Sequence, residues 1–261
     1  MRAEDLSDRI ALVTGAGDAN GIGVAAAGAL AARGASVFLT STTGRCEERA
    51  AELRVAGFCA EGMAADLTRA GDVALLVAAV HDRMGAVSVL VNNAGMTSVL
   101  DPMAEPVPTH LLSVERWRHT LERNLTLSFA VTAAVLPDMI EQRFGRIVNV
   151  ASTTGVTGAM LGESAYAAAK AGLVGFTRTL ALEYASHGIT ANAVAPGWIA
   201  TPSQTTDEAR QGYATPLRRS GTPKEVAHAI AMLCAPDAGY ITGQCLVVDG
   251  GNAIAEERAV E

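Results

Sequence analysis

The sequence predicts an α/β protein, a single parallel sheet with helices wound onto both of its faces. Three observations carry this. Short β-branched apolar runs alternate with Ala-rich helical stretches nearly from end to end. The runs are continuously apolar, as expected of strands buried on both faces, rather than alternating polar and apolar. No linker-like segment divides the chain, so its 261 residues are expected to form one domain, 1–261.

Strands are expected at Ile10–Thr14, Ser36–Thr40, Val87–Val91, Arg146–Val150, Thr190–Val194 and Cys245–Val248, with a weaker candidate at Phe58–Ala64. Helices are expected over about 21–33, 45–56, 69–84, 114–142, 164–186 and 223–234. Strands joined through helices imply right-handed crossovers and parallel pairing. Two irregular Pro-bearing segments, Asp101–His110 and the stretch around Pro196–Pro216, follow strands. Loops after the carboxyl ends of strands carry the ligand site in such sheets, so both segments are expected to wall it.

Composition narrows the function. With 49% hydrophobic and 18% charged residues the chain is neither disordered nor a disulfide-stapled miniprotein. Apolar stretches are broken by Gly, Arg, Asp or His well before the ~18 residues of a membrane span. The first eight residues are acidic and lack the apolar segment of a secretion signal. A net charge of −7 with no basic block argues against nucleic acid. Cys46, Cys59, Cys234 and Cys245 have no metal-binding spacing, so reduced thiols, a cytoplasmic setting and no metal are expected.

The first predicted strand runs into Thr14-Gly-Ala-Gly-Asp-Ala-Asn-Gly-Ile-Gly23 and then a helix. Glycines at such a turn allow a tight bend and close approach to a pyrophosphate, which the helix N-terminus attracts. Gly15 is the expected turn position; Gly21 and Gly23 are the expected close-approach positions. An acid at the end of the second strand would bind a ribose 2′-hydroxyl and select NAD. Here that position reads Thr40-Ser-Thr-Thr-Gly-Arg45. Ser41, Thr42 and Arg45 suit a 2′-phosphate, so NADP(H) is favoured and NAD(H) is the alternative.

Tyr166-Ala-Ala-Ala-Lys170 places a phenol and an amine on one helix face. A cation beside a phenol stabilises the phenolate, so the tyrosine pKa is expected to fall from ~10 towards neutrality and serve acid–base chemistry. Asn149-Val-Ala-Ser152 ends the preceding strand, which puts the Ser152 hydroxyl where it can donate to a carbonyl oxygen.

The Gly-rich loop, Asn92-Asn-Ala-Gly95, Asn124-Leu, Ser152, Tyr166-x-x-x-Lys170 and Pro196-Gly-Trp-Ile-Ala-Thr201 occur in this order. Together they resemble the single-domain short-chain dehydrogenase/reductase family, and most closely its 3-oxoacyl-(acyl-carrier-protein) reductase-like members. The resemblance runs from about residue 8 to Gly251. It implies a Rossmann fold with seven parallel strands in the order 3-2-1-4-5-6-7 and a substrate lid at about 197–220. It implies that Tyr166 transfers the proton, Lys170 tunes it and holds the nicotinamide ribose, Ser152 polarises the carbonyl and Asn124 anchors a relay water. Gly15, Gly17, Asn20, Gly21, Ile22 and Gly23 would hold the pyrophosphate, and Asp66 and Leu67 the adenine. Asn93, Ala94 and Gly95 would line the cofactor and steady the central sheet, and Pro196, Gly197, Ile199 and Thr201 would contact its nicotinamide end. Met160 and Trp198 would join Ser152 and Tyr166 around the substrate. A homotetramer is implied as well.

Two departures stand out. Five residues separate Gly15 from Gly21, where the family usually has three, and Asn20 replaces an arginine often found before the Gly-x-Gly pair. The stretch from Gly95 to Asn124, with Pro102, Pro106 and Pro108, is longer than usual. The expected reaction is reversible hydride transfer between nicotinamide and a small carbonyl compound, 3-oxoacyl reductase-like. The alternatives are a dehydrogenase or reductase for a secondary alcohol, cyclic ketone or sugar, and more remotely a silent cofactor-sensing protein.

Overall fold

Strands form where the apolar runs predict them. The computed structural model describes residues 6–95 and 106–256. The strands are β1 (Ile10–Thr14), β2 (Ser36–Ser41), β3 (Ala60–Ala64), β4 (Val89–Asn92), β5 (Gly145–Val150), β6 (Ile189–Pro196) and β7 (Cys245–Val248). All pair in parallel, in one sheet ordered β3-β2-β1-β4-β5-β6-β7. The order reverses between β1 and β4, which opens a crevice at their carboxyl ends.

The helices are α1 (Ile22–Ala31), α2 (Arg45–Val55), α3 (Ala70–Arg83), α4 (Val114–Leu121), α5 (Leu127–Gln142), the short turn α6 (Thr153–Val156), α7 (Ser164–Tyr184), α8 (Thr206–Tyr213) and α9 (Pro223–Cys234). Alternate strand residues feed two cores. Ala11, Val13, Val37, Leu39, Val89, Val91, Val148 and Val150 pack with α1 and α9. Leu12, Phe38, Leu90 and Ile147 point the other way, onto α3, α5 and α7. Burial on both faces is why the strands lack a polar alternation.

The weaker third strand proves to be one of the two edges of the sheet. Its outward carbonyls are covered by arginines: Arg54 Nη1 donates to Ala60 O at 2.7 Å and Arg83 Nη1 to Gly62 O at 3.4 Å. Charged cover of this kind blunts an edge against further strand pairing.

Two expectations change. The single helix over 114–142 is α4 and α5 joined by a π-helical turn, Glu122–Thr126. The segment around Pro196–Pro216 is not irregular throughout: it contains α8, started by a capping box in which Thr205 and Glu208 satisfy each other's backbone N–H. Pro102 and the start of the 101–110 segment lie outside the described residues.

Candidate active site

The carboxyl edge of the sheet gathers the residues singled out in the sequence. At the end of β1, Gly15 takes a φ of +67°, and a Cβ there would lie 2.8 Å from the Ala94 backbone. A Cβ on Gly23 would meet Gly15 O at 2.7 Å. Asn93 locks this turn, its Nδ2 donating to Thr14 O and Gly15 O at 3.0 Å each. The Thr14 hydroxyl accepts from the N–H groups of Asn93 and Ala94 at 3.1 and 3.0 Å.

Asp18 closes the lengthened loop. Its Oδ1 accepts from Asn20 N at 2.9 Å and its carbonyl from Gly21 N at 3.0 Å. The Asn20 N–H is therefore used inside the loop. Helix α1 begins after Gly21 with no side-chain cap and no acid in its first turn. The first N–H groups of a helix have no intrahelical partner, so this end is free to hold an anion. The glycine-walled cradle and the uncapped helix fit a dinucleotide pyrophosphate.

At the end of β2 stand Ser41, Thr42 and Arg45. Gly17 lies against Ser41, where an added Cβ would come within 2.8 Å of its hydroxyl. Ser41 Oγ donates to Thr43 O at 2.7 Å, and Arg45 Nε to Thr43 Oγ1 at 3.1 Å. Thr42 and Arg45 are exposed. After β3, Leu67 is buried, and hydrogen bonding from Thr68 leads in holding the Asp66 carboxyl below its usual pKa.

Beyond β5, Ser152 caps α6, accepting from Thr154 N at 3.1 Å. Lys170 is 2% exposed, its Nζ donates to Val150 O at 3.1 Å, and it lies 5.5 Å from the centre of the Tyr166 ring. Here the structure corrects an expectation. Tyr166 is half-buried, and its pKa does not fall towards neutrality. Burial pushes it up to about 12, opposed by hydrogen bonding with Ser152 and reinforced by the charges of Glu163 and Glu208. Burial also draws the Lys170 amine down to about 8. The amine is turned to a carbonyl and itself desolvated, so it does not override the desolvation of the phenol.

Asn124 sits in the π-helical turn, 2% exposed. Its Nδ2 donates to Thr120 O at 3.1 Å, while its buried Oδ1 has no partner among the described residues. Single π turns of this kind concentrate at functional sites. The apolar period of 114–142 gives no sign of it. The Asn124 side chain also packs against Gly95, whose added Cβ would lie 3.1 Å from Oδ1.

At the far wall, Pro196 ends β6. A Cβ on Gly197 would meet Asp249 Cβ at 2.7 Å. Ile199 is buried and bridges to Gly221. Thr201 Oγ1 lies 3.0 Å from Ser203 Oγ. Trp198 is half-buried, whereas Met160 is exposed. Arg219 is engaged in a two-pronged pair with Glu225, at 2.9 and 2.6 Å.

The sequence reading missed Gly155. Its φ is +93°, and an added Cβ would collide with Ala167 O on α7. This contact seats the Ser152 turn on the helix that carries Tyr166. Only the Gly in Ser-Thr-Thr-Gly hints at it. Glu163 and Glu208 were also unweighted as charges. Burial raises the Glu163 carboxyl, opposed by Arg116 and assisted by Glu208.

A glycine-walled turn at the switch point, with a tyrosine and a lysine two strands away at the carboxyl end of the same sheet, is the arrangement expected of a dinucleotide-dependent oxidoreductase. Comparison with known proteins sharpens this. A family profile described as Enoyl-(Acyl carrier protein) reductase matches residues 15–253. The 3-oxoacyl-(acyl-carrier-protein) reductase FabG of Vibrio cholerae is 42% identical over 253 residues, covering 95% of this chain and 98% of that protein. Its Escherichia coli counterpart is 39% identical over 249 residues, 93% and 96% of the two chains. The crystal structure of a putative gluconate dehydrogenase from Agrobacterium tumefaciens superposes with a TM-score of 0.89 at 32% identity, covering 98% of this chain and all of that one. The chain belongs to the short-chain dehydrogenase/reductase family.

Proposed function

We propose that the protein is an NADP(H)-dependent reductase of a 3-oxoacyl-type carbonyl, working reversibly on the secondary alcohol. The observation that carries this is the meeting of Ser152, Tyr166 and Lys170 past the end of β5, on the same sheet edge as the α1 cradle. Gly15, Gly17, Gly21, Ile22 and Gly23 hold the pyrophosphate, Asp66 and Leu67 the adenine side, and Asn93, Ala94 and Gly95 the middle of the cofactor. Pro196, Gly197, Ile199 and Thr201 flank the nicotinamide. Asn20, its N–H used by Asp18, lines the loop by its exposed side chain. Ser41, Thr42 and Arg45, with no carboxylate among them, support NADP(H) over NAD(H).

The nicotinamide, when bound, supplies or accepts the hydride. Ser152 donates to the substrate carbonyl oxygen and stabilises the negative charge that grows there. Tyr166 delivers its proton to that oxygen. Lys170 steadies the phenolate left behind, and Asn124 holds the water through which the proton is replaced. With its pKa raised, the Tyr166 phenol is protonated at neutral pH and so holds the proton that reduction requires. Trp198 and Met160 wall the substrate.

The test is NADPH oxidation over a panel of 3-oxoacyl thioesters, cyclic ketones and sugars. Turnover of the thioester, better with NADPH than NADH and lost in Tyr166→Phe, is expected. Near-normal activity of Tyr166→Phe removes the mechanism. A second reading, oxidation of a secondary alcohol or sugar, is favoured by the likeness to the gluconate dehydrogenase, and the same panel separates it. Retention of Asn124, Ser152, Tyr166 and Lys170 together speaks against a silent cofactor sensor.

Exposed apolar side chains on α5 (Phe129), α7 (Leu182) and β7 (Leu246) support a homotetramer, which light scattering tests. No helix among the described residues is long and apolar enough to cross a membrane. The cysteines are free, in keeping with a cytoplasmic protein.

A further inference from the structure

Beneath the candidate site a line of buried polar side chains crosses the sheet, and none of the steps above uses it. Asn92 on β4 and Asn149 on β5 are register partners, 1% and 0% exposed. Asn92 Nδ2 donates to Asn149 Oδ1 at 2.8 Å and to Thr132 Oγ1, on α5, at 2.9 Å. Asn149 Nδ2 donates to Thr177 Oγ1, on α7, at 2.8 Å. Thr177 in turn donates to Leu173 O at 2.7 Å. Thr132 and Thr177 are both fully buried. The line therefore runs α5–β4–β5–α7 without reaching solvent.

Buried polar groups cost stability unless bonded, and apolar residues would fill the same space at less risk. What a bonded line adds is a fixed register, because an apolar contact slides and a hydrogen bond does not. Its two ends are well placed for that. Thr177 lies seven residues beyond Lys170 on the continuous helix α7, so the two share a face, and Thr132 lies on α5, which follows directly from the π turn that carries Asn124. Asn149 stands three residues before Ser152 on the same chain segment. Helix α7 is thus pinned to β5 twice, by Lys170 on Val150 O and by Thr177 on Asn149.

We propose that Thr132, Asn92, Asn149 and Thr177 are positioning residues, a strut that holds the helices bearing Asn124, Tyr166 and Lys170 in register with the strand leading to Ser152. The proposal rests on the function proposed above.

Thr177→Val and Thr132→Val remove the hydroxyls at nearly constant volume. Lysine occurs only at positions 170 and 224, so lysine-selective carbon-13 NMR follows the titration of Lys170 directly, with Lys224 as reference and without any substrate. In Thr177→Val the Lys170 midpoint is expected to move by at least half a unit. The kcat is expected to fall about tenfold, since small misplacements of reacting groups are costly, with the KM for NADPH within about twofold. Thr177→Ser restores both. The Thr132→Val/Thr177→Val pair loses less than the product of the single losses, because one strut is already broken by either change.

A lowered melting temperature with unchanged midpoint and kcat overturns the proposal, as does a serine variant that does not rescue. Should Thr177→Val fail to fold, Thr132→Val carries the same test by its kcat and its KM for NADPH. If the unaltered protein reduces no carbonyl compound, the functional reading fails, and the strut is judged on the Lys170 titration alone.

Discussion

Lys170 lies 5.5 Å from the centre of the Tyr166 ring while its ammonium bonds the carbonyl of Val150 at 3.1 Å. The amine is thus set beside the phenol by its grip on β5, not by a bond to the phenol. Both groups are shifted by desolvation in the direction that disfavours charge: the amine to about 8 and the phenol to about 12.

This makes the lysine a source of pH-dependent stability. Its folded pKa lies below the ordinary 10.5, so between about 8 and 10.5 the unfolded chain binds more protons. Stability from this group rises with pH across that window. Above about 10 the raised phenol acts oppositely, because the unfolded tyrosine loses its proton first. Lys170→Met is expected to melt no lower than the parent at pH 7, and its advantage should shrink as pH rises to 10. Calorimetry across that range checks it; an advantage that grows with pH contradicts the burial argument.

Ser152→Ala removes the hydroxyl proposed to donate to the developing oxyanion. A loss in kcat of roughly 100-fold is expected, with NADPH binding little changed. Steady-state kinetics and a fluorescence titration of the cofactor measure the two separately.

Ser41→Asp places a carboxylate where the 2′-phosphate would sit. The ratio of kcat/KM for NADPH over NADH should drop by at least about tenfold, by like-charge repulsion. Arg45→Ala should raise the KM for NADPH and leave that for NADH nearly unaffected. Equal effects on both cofactors would move the 2′-subsite elsewhere.

Two glycine variants should separate binding from turnover. In Gly23→Ala the new methyl meets Gly15 O and Asn93 Nδ2 at 2.7 Å, in the part of the loop that cannot yield. Cofactor affinity is expected to fall by about tenfold or more, as close approach to the pyrophosphate is lost. Gly155→Ala strains a φ of +93° and pushes the Ser152 turn off Ala167, so kcat should fall while the cofactor still binds. Calorimetric titration with NADPH distinguishes the two.

Much of this protein was legible in its residues. Runs such as Ile10–Thr14 and Arg146–Val150 mark strands because burial on both faces leaves mostly apolar positions, and glycines between a strand and a helix mark the tight turn into α1. The spacing of Tyr166 and Lys170 fixes their shared face, because it is a local property of a helix. The π turn at Asn124 was not legible, because its widened hydrogen-bond ladder leaves the apolar period nearly intact. Helix α8 was hidden by the prolines and polar residues around it, although the Thr205–Glu208 capping box is its sequence mark.

The alternation of elements, the sheet's two-sided core and the shared helix face of Tyr166 and Lys170 are written in the residues, because all three follow from local pattern. Tertiary structure alone decided the sign of the Tyr166 shift, the closure of the phosphate loop on Asp18, the seat of Gly155 on α7 and the Asn92–Asn149 strut. Each of these depends on how much water is excluded, or on which groups far apart in the chain are brought within bonding distance. Spacing along the sequence carries neither quantity.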